Sequence, residues 1–196
     1  MINIKKINLG FTLVELLIVI GLLGAIALIV IAAINPIEQA NRARDTRFKS
    51  DAGQLISSID RYFASKEEFP WMTDDQDLEP DDQLDFTDAR AVSIGLCGDV
   101  ACTSDGYLID TNELKTEFRN RDFITDAPTV SNTISVGKYT GASSSVYACY
   151  VPLSNAERSK TENLVSLTFD ANTSAPTADC TTTDWVTTPC YVCLPQ

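Results

Sequence analysis

Three sets of side chains in this sequence have types and spacings that could do chemistry: a tract of carboxylates, six cysteines, and one glutamate placed inside hydrocarbon. The carboxylates lie in TDDQDLEPDDQLD, residues 73–85, which holds six Asp and one Glu. Hard cations take oxygen ligands, so calcium is the ion to weigh, with Asp75, Asp77 and Asp81 as candidate ligands. Asp75, Asp77 and Glu79 fit the alternate positions of a calcium loop, but Pro80 stands where that loop needs glycine. Asp170-Ala-Asn172-Thr-Ser174 lacks the glycine as well. A solvated acidic loop is the expectation, with no firm metal site and no cofactor.

Cys97, Cys102, Cys149, Cys180, Cys190 and Cys193 all follow the apolar N-terminal run. An even number in an exported segment reads as disulfides formed in an oxidising compartment. Cys190-Tyr-Val-Cys193 is a C-x2-C, which also suits zinc or redox chemistry. No second close pair completes a zinc site, and the βαβ context of a redox motif is absent. Cys97 and Cys102 are local partners. The other four allow 180–190 with 149–193, or a tight 190–193 bridge with 149–180.

There is no histidine. That removes the commonest general base and metal ligand and every Ser-His or Cys-His pair. A Gly-rich phosphate loop and a G-x-S-x-G elbow are also missing from the sequence, so an enzyme is not expected. The net charge of −12 argues against nucleic acid as the main partner, because a phosphate backbone calls for clustered Lys and Arg. The local cluster Arg42, Arg44, Arg47 and Lys49 is expected to serve intersubunit or solvated ion pairs beside Asp45 and Asp51. A membrane-anchored lectin finds no motif to support it either.

Glu15 is the odd residue. Residues 11–34 carry it as their only charge, in a run long enough to cross a hydrocarbon core of about 30 Å. Lys5 and Lys6 precede the run and hold that end in the cytoplasm. A cleaved secretory signal would be shorter and end at a small-residue site, whereas this run ends at Asn35-Pro36. A plain anchor explains neither Glu15 nor the sharp Gly10-Phe11 junction.

The stretch Gly10-Phe11-Thr12-Leu13-Val14-Glu15-Leu16-Leu17, behind a short basic leader, resembles the N-terminal motif of type IV pilins and pseudopilins. Residues 35–70, NPIEQANRARDTRFKSDAGQLISSIDRYFASKEEFP, are similar to the helix and helix exit of the pseudopilin branch, so the resemblance covers about residues 5–70. It implies that a prepilin peptidase in the membrane cuts after Gly10 and methylates Phe11. It also makes Glu15 the acidic residue that pairs, during assembly, with the amine of Phe11 on a neighbouring subunit. Two opposite charges in a poorly solvated site attract strongly, so the pair would set register between subunits. The fold it implies is α+β: a long N-terminal helix, transmembrane then amphipathic, on an antiparallel sheet.

The elements that must position these groups follow from pattern. The expected order is a leader (1–10), an apolar helix (11–36), an amphipathic helix (37–66) and a disulfide-tied, β-rich head (67–196). Gly21, Gly24 and several alanines allow close helix approach. The two glycines weaken the helix and Pro36 removes a donor and should kink it, and the resemblance to pilins implies unwinding somewhere between residues 21 and 36. Ile37, Ala40, Phe48, Ala52, Leu55, Ile59 and Phe63 form an apolar stripe, with Glu38, Arg42, Asp45, Lys49, Asp60 and Arg61 opposite. In the head, strands are expected near 107–109 and 164–169, a hairpin at 133–139 and 145–151, a helix at 111–121 capped by Asp110 or Thr111, and an irregular loop at 171–189.

The function expected is that of a major pilin, a structural subunit of a surface filament for adhesion, motility or DNA uptake. The alternatives are a pseudopilin of a secretion-system piston or a minor tip subunit. The partners are further copies of the chain, the prepilin peptidase, the inner-membrane assembly machinery and, before assembly, the cytoplasmic membrane.

Overall fold

A computed structural model describes residues 10–33, 35–73, 83–141, 143–178 and 180–195. The carboxylates Asp75, Asp77 and Asp81, and Lys5 and Lys6 of the leader, lie outside the described residues. The chain divides into two compact units, one ending at Ala40 and the other running from Asn41 to Gln196.

In the first unit, helix α1 spans Leu13–Ala33 and is apolar on every side. Its 21 residues rise about 31 Å, the depth of a bilayer's hydrocarbon, and its described side chains are all solvent-exposed. The helix passes through Gly21 and Gly24 without a break. Asn35 lies outside both helices, and helix α2 (Pro36–Lys66) begins directly after it. Pro36 takes the first helical position, where its missing N–H costs nothing. Asn35 caps that start, its side-chain oxygen accepting the Glu38 N–H at 3.2 Å.

In the second unit, the stripe on α2 is buried at Phe48, Ala52, Leu55 and Ile59, with Phe63 packed at its edge. Ile37 and Ala40, expected on the same stripe, are exposed. The helix ends at Lys66, and Glu67 follows in the left-handed region at φ 61°.

The sheet has the order β1-β2-β3-β6, antiparallel throughout. Its strands are β1 (Leu84–Asp88), β2 (Ile134–Lys138), β3 (Val146–Tyr150) and β6 (Val192–Leu194). Strand alternation puts Ile134, Val136, Ala148, Tyr150 and Val192 into the core that takes the α2 stripe. The Phe48 ring sits 6.0 Å from that of Tyr150 and 6.1 Å from that of Phe123. Ser135, Gly137, Tyr147, Cys149 and Cys193 take the other face.

That outer face is covered too. A small hairpin, β4 (Phe169–Asp170) with β5 (Ala175–Pro176), lays Phe169 against Phe86 at 4.6 Å and against Tyr139 and Tyr147. Gly137 makes room for this layer, since a Cβ there would lie 2.7 Å from the Phe86 ring. The covered outer face is why Cys149 is fully buried.

Several local expectations are corrected. Residues 107–109 are not a strand but the start of a helical turn, α3 (Tyr107–Asp110), followed by Asn112 at φ 64°. The expected helix over 111–121 is a 3-10 turn at Thr116–Asn120, with no side-chain cap from Asp110 or Thr111. A further turn, α4 (Asp122–Thr125), supplies Phe123 and Ile124 to the core. Over 164–169 only a single bridge, Val165 with Tyr191, precedes β4, and the supposed loop after it contains β5. Short apolar runs do not distinguish strand from turn by pattern alone.

Candidate functional site

The site is the segment around Gly10, where α1 begins. Gly10 and Phe11 lie outside the helix, and Phe11 is exposed. A side chain at Gly10 would meet nothing within 4 Å, so no described residue crowds the Gly10 Cα. Two residues further on, Thr12 and Glu15 close a reciprocal cap. The Glu15 N–H donates to the Thr12 hydroxyl oxygen at 3.2 Å. The Glu15 carboxylate accepts the Thr12 backbone N–H at 2.9 Å and the Thr12 hydroxyl at 2.8 Å.

This is a capping box, T-x-x-E, and it satisfies groups that the first turn of any helix leaves orphaned. Around Thr12 and Glu15 there is only hydrocarbon-type sequence, so nothing else in the segment could supply those partners in lipid. Glu15 is thereby a carboxylate with two donors on it at the positive end of the helix dipole. Thr12 is the residue that reading by charge alone passes over, although its spacing of three from Glu15 was visible in the sequence.

The polar residues of α2 form a second construction, inside the head. Asp45 was expected on the solvent face but is 3% exposed. Its carboxylate accepts the N–H of Leu153 at 3.0 Å and of Ser154 at 2.8 Å. Ser154 in turn caps α5 (Asn155–Arg158) by accepting the Glu157 N–H. Arg44 is not a free surface cation either. It donates to Asp45 at 3.1 Å, to the Val151 carbonyl at 2.7 Å and to the Ser131 carbonyl, and its guanidinium lies 3.5 Å from the Phe48 ring centre. Burial lowers its pKa from the ordinary arginine value.

The neighbouring cations pair with the head: Arg47 with Asp122 at 2.9 Å and Arg61 with Glu113 at 2.9 Å. Asp51 is buried, and its nearest cation is Arg121 at 3.6 Å, so burial raises its pKa. Arg44 is thus buried within one subunit, where an intersubunit or solvated pair was expected, whereas the Arg47–Asp122 pair is exposed to solvent on both sides, as expected. Lys138 is also fully buried, its Nζ donating to the carbonyls of Tyr139 and Gly141, 5.0 Å from the Phe69 ring centre.

The six cysteines form three bonds: Cys97–Cys102, Cys149–Cys193 and Cys180–Cys190. Of the two arrangements left open for the last four, the structure holds the one without a 190–193 bridge. Cys149 and Cys193 are register partners on β3 and β6. The Cys97–Cys102 loop is filled by Asp99, whose carboxylate takes the hydroxyls and N–H groups of Ser104 and Thr103 and is held well below the usual carboxylate range. Among the described residues no cluster of Cys, Asp and Glu has the geometry to hold a metal ion.

The prokaryotic N-terminal methylation motif matches residues 5–31. No curated protein and no solved structure gives a significant match. The matched segment contains the Gly10–Phe11 bond and both members of the capping box, and it ends within α1. It is the class III signal of type IV pilins and pseudopilins, whose proteins are structural, and it implies processing by a prepilin peptidase. The rest of α1, α2 and an antiparallel sheet complete an α+β fold consistent with that class.

Proposed function

We propose that this prepilin-type chain is the major subunit of a type IV pilus-like surface filament, stored in the cytoplasmic membrane and extracted from it during assembly. The observation that carries the reading is the capping box at the head of an apolar helix, immediately after Gly10-Phe11.

In the membrane, α1 lies in lipid with the Glu15 charge held by Thr12 and the helix dipole. Cleavage after Gly10 turns Phe11 into the chain's amine terminus, one turn from Glu15. On assembly the helix exchanges lipid for neighbouring helices, so its apolar surface never meets water. The Phe11 amine of one subunit then reaches the Glu15 carboxylate of another, and removing either partner of such a poorly solvated pair costs about 3–5 kcal/mol. A head-to-tail contact of this kind does not close on itself and grows a filament. The head, folded on its own core and three disulfides, becomes the displayed surface for adhesion, motility or DNA uptake.

The test is microscopy of the cell surface with mass spectrometry of sheared material. The proposal expects long filaments in which this chain dominates, cut after Gly10 and methylated on Phe11. Absence of filaments, with a cleaved and methylated chain retained in the envelope, would instead favour a secretion pseudopilin. Filaments in which the chain is scarce would make it a minor tip subunit.

A further inference from the structure

The hairpin that covers the outer sheet face ends in a four-residue loop, 171–174, between β4 and β5. That loop contains Asn172-Thr173-Ser174, and Asn172 is the one asparagine of the chain followed two residues later by Ser or Thr. This is the acceptor pattern for glycan attachment through an asparagine amide, which functions in exported surface loops.

The geometry suits an acceptor. Residues 171–173 are exposed. The Asn172 backbone N–H donates to the Asp170 carboxylate at 2.8 Å, and the Ser174 N–H donates to the Asp170 carbonyl at 2.8 Å. The loop is therefore shaped by its backbone and by Asp170, while the Asn172 side-chain amide makes no hydrogen bond among the described residues. A substituent on that amide breaks nothing. The arms are tied below the tip by the two strand pairs, by Thr177 bonded to Thr168 and Ser166, and by Phe169 on Phe86, so the exposed tip is presented on a fixed base and can move while the sheet stays folded.

We propose that Asn172 is an N-glycosylation site, receiving an oligosaccharide from an isoprenoid-diphosphate donor outside the cytoplasmic membrane. The amide nitrogen Nδ2 bonds to C1 of the reducing-end sugar. The C1–O bond to the diphosphate breaks with its electron pair going to the diphosphate, and one amide proton leaves to a base of the transferase. The inference rests on export of the head and not on filament formation.

The experiment is peptide and intact mass analysis of the full chain recovered from its native cells, as wild type and as Asn172→Gln, Ser174→Ala and Thr173→Ala. The expected result is a glycan mass on the Asn172 peptide that disappears in N172Q and S174A and persists in T173A. Disulfide mapping of N172Q, with all three bonds intact, shows that its loss is not misfolding. An unmodified Asn172 in the wild type, or a glycan surviving in N172Q, would overturn the proposal. Either result, beside a methylated Phe11 and intact filaments, leaves the function proposed above untouched.

Discussion

The carboxylate of Asp45, in the first third of α2, accepts the backbone N–H of Ser154 at 2.8 Å, 109 residues away in the chain. The same carboxylate holds Leu153 and Arg44, so one buried side chain positions both the approach to α5 and a buried cation. Replacing it with alanine leaves two amides and a guanidinium short of partners. The expected cost of Asp45→Ala is about 3 kcal/mol, from leaving a buried charge uncompensated. Thermal unfolding of the full chain in detergent should show a Tm lowered by roughly 6–12 °C, at about 2–4 °C per kcal/mol for a domain of this size. A shift within 2 °C of zero would mean that the network is not holding the head.

Thr12 and Glu15 predict an ordered series of filament phenotypes. Glu15→Ala removes both the cap acceptor and the proposed intersubunit partner of the Phe11 amine, and should abolish filaments. Thr12→Val removes only the cap, worth about 1 kcal/mol, and should lower sheared filament yield by about fivefold. Thr12→Ser keeps the hydroxyl and should stay near wild type. Equal yields from Thr12→Val and Thr12→Ser would remove the capping box from the mechanism.

Asp51 makes a pH prediction with a definite sign. Burial raises its folded-state pKa, so the ionised form is the less favoured one in the folded head. Its contribution to stability is greatest below the unfolded carboxylate pKa of about 3.9 and falls as pH rises through the folded value. Asp51→Asn removes that dependence. The Tm of the variant relative to wild type should therefore be higher at pH 7 than at pH 3. A difference that runs the other way would show that Arg121 and Arg47 outweigh burial.

The disulfides should rank by the loops they close. Cys149–Cys193 spans 44 residues and Cys97–Cys102 spans 5. Chain entropy then gives about 4 kcal/mol for the first and about 2 kcal/mol for the second. Paired serine replacements, compared by denaturant unfolding, should follow that order. The reverse order would point to Asp99 and its hydroxyl partners making the small loop a folding element in its own right.

The parts legible in the sequence were those with a long, repeated pattern. The run from Leu13 to Ala33 could be little else than a membrane-length helix, and Phe48, Ala52, Leu55 and Ile59 recur at the spacing of one helix face. The hairpin of β2 and β3 was legible because its strands alternate around a turn-rich stretch. The helical turn at Tyr107–Asp110 was not, since three apolar residues carry no period. Asp45 and Arg44 were misplaced for a different reason. Residue type points a charge outward, and only the carbonyls and amides of distant residues 131 and 151–154 show that these two are satisfied inward. Thr12 was readable in principle, because a capping box needs no tertiary information.

The strand order of the sheet has a consequence for the timing of export. Strand β6 completes the sheet by pairing with β3, and Cys193 follows Cys149 by 44 residues. Under the proposed function the N-terminal end stays in the cytoplasm and the head crosses the membrane in chain order behind it, so β3 is delivered before β6. Until then β3 presents an open edge and Cys149 an unpaired thiol. On that proposal the bond between them marks finished delivery: a subunit oxidised at this pair would have its whole sheet on the far side of the membrane.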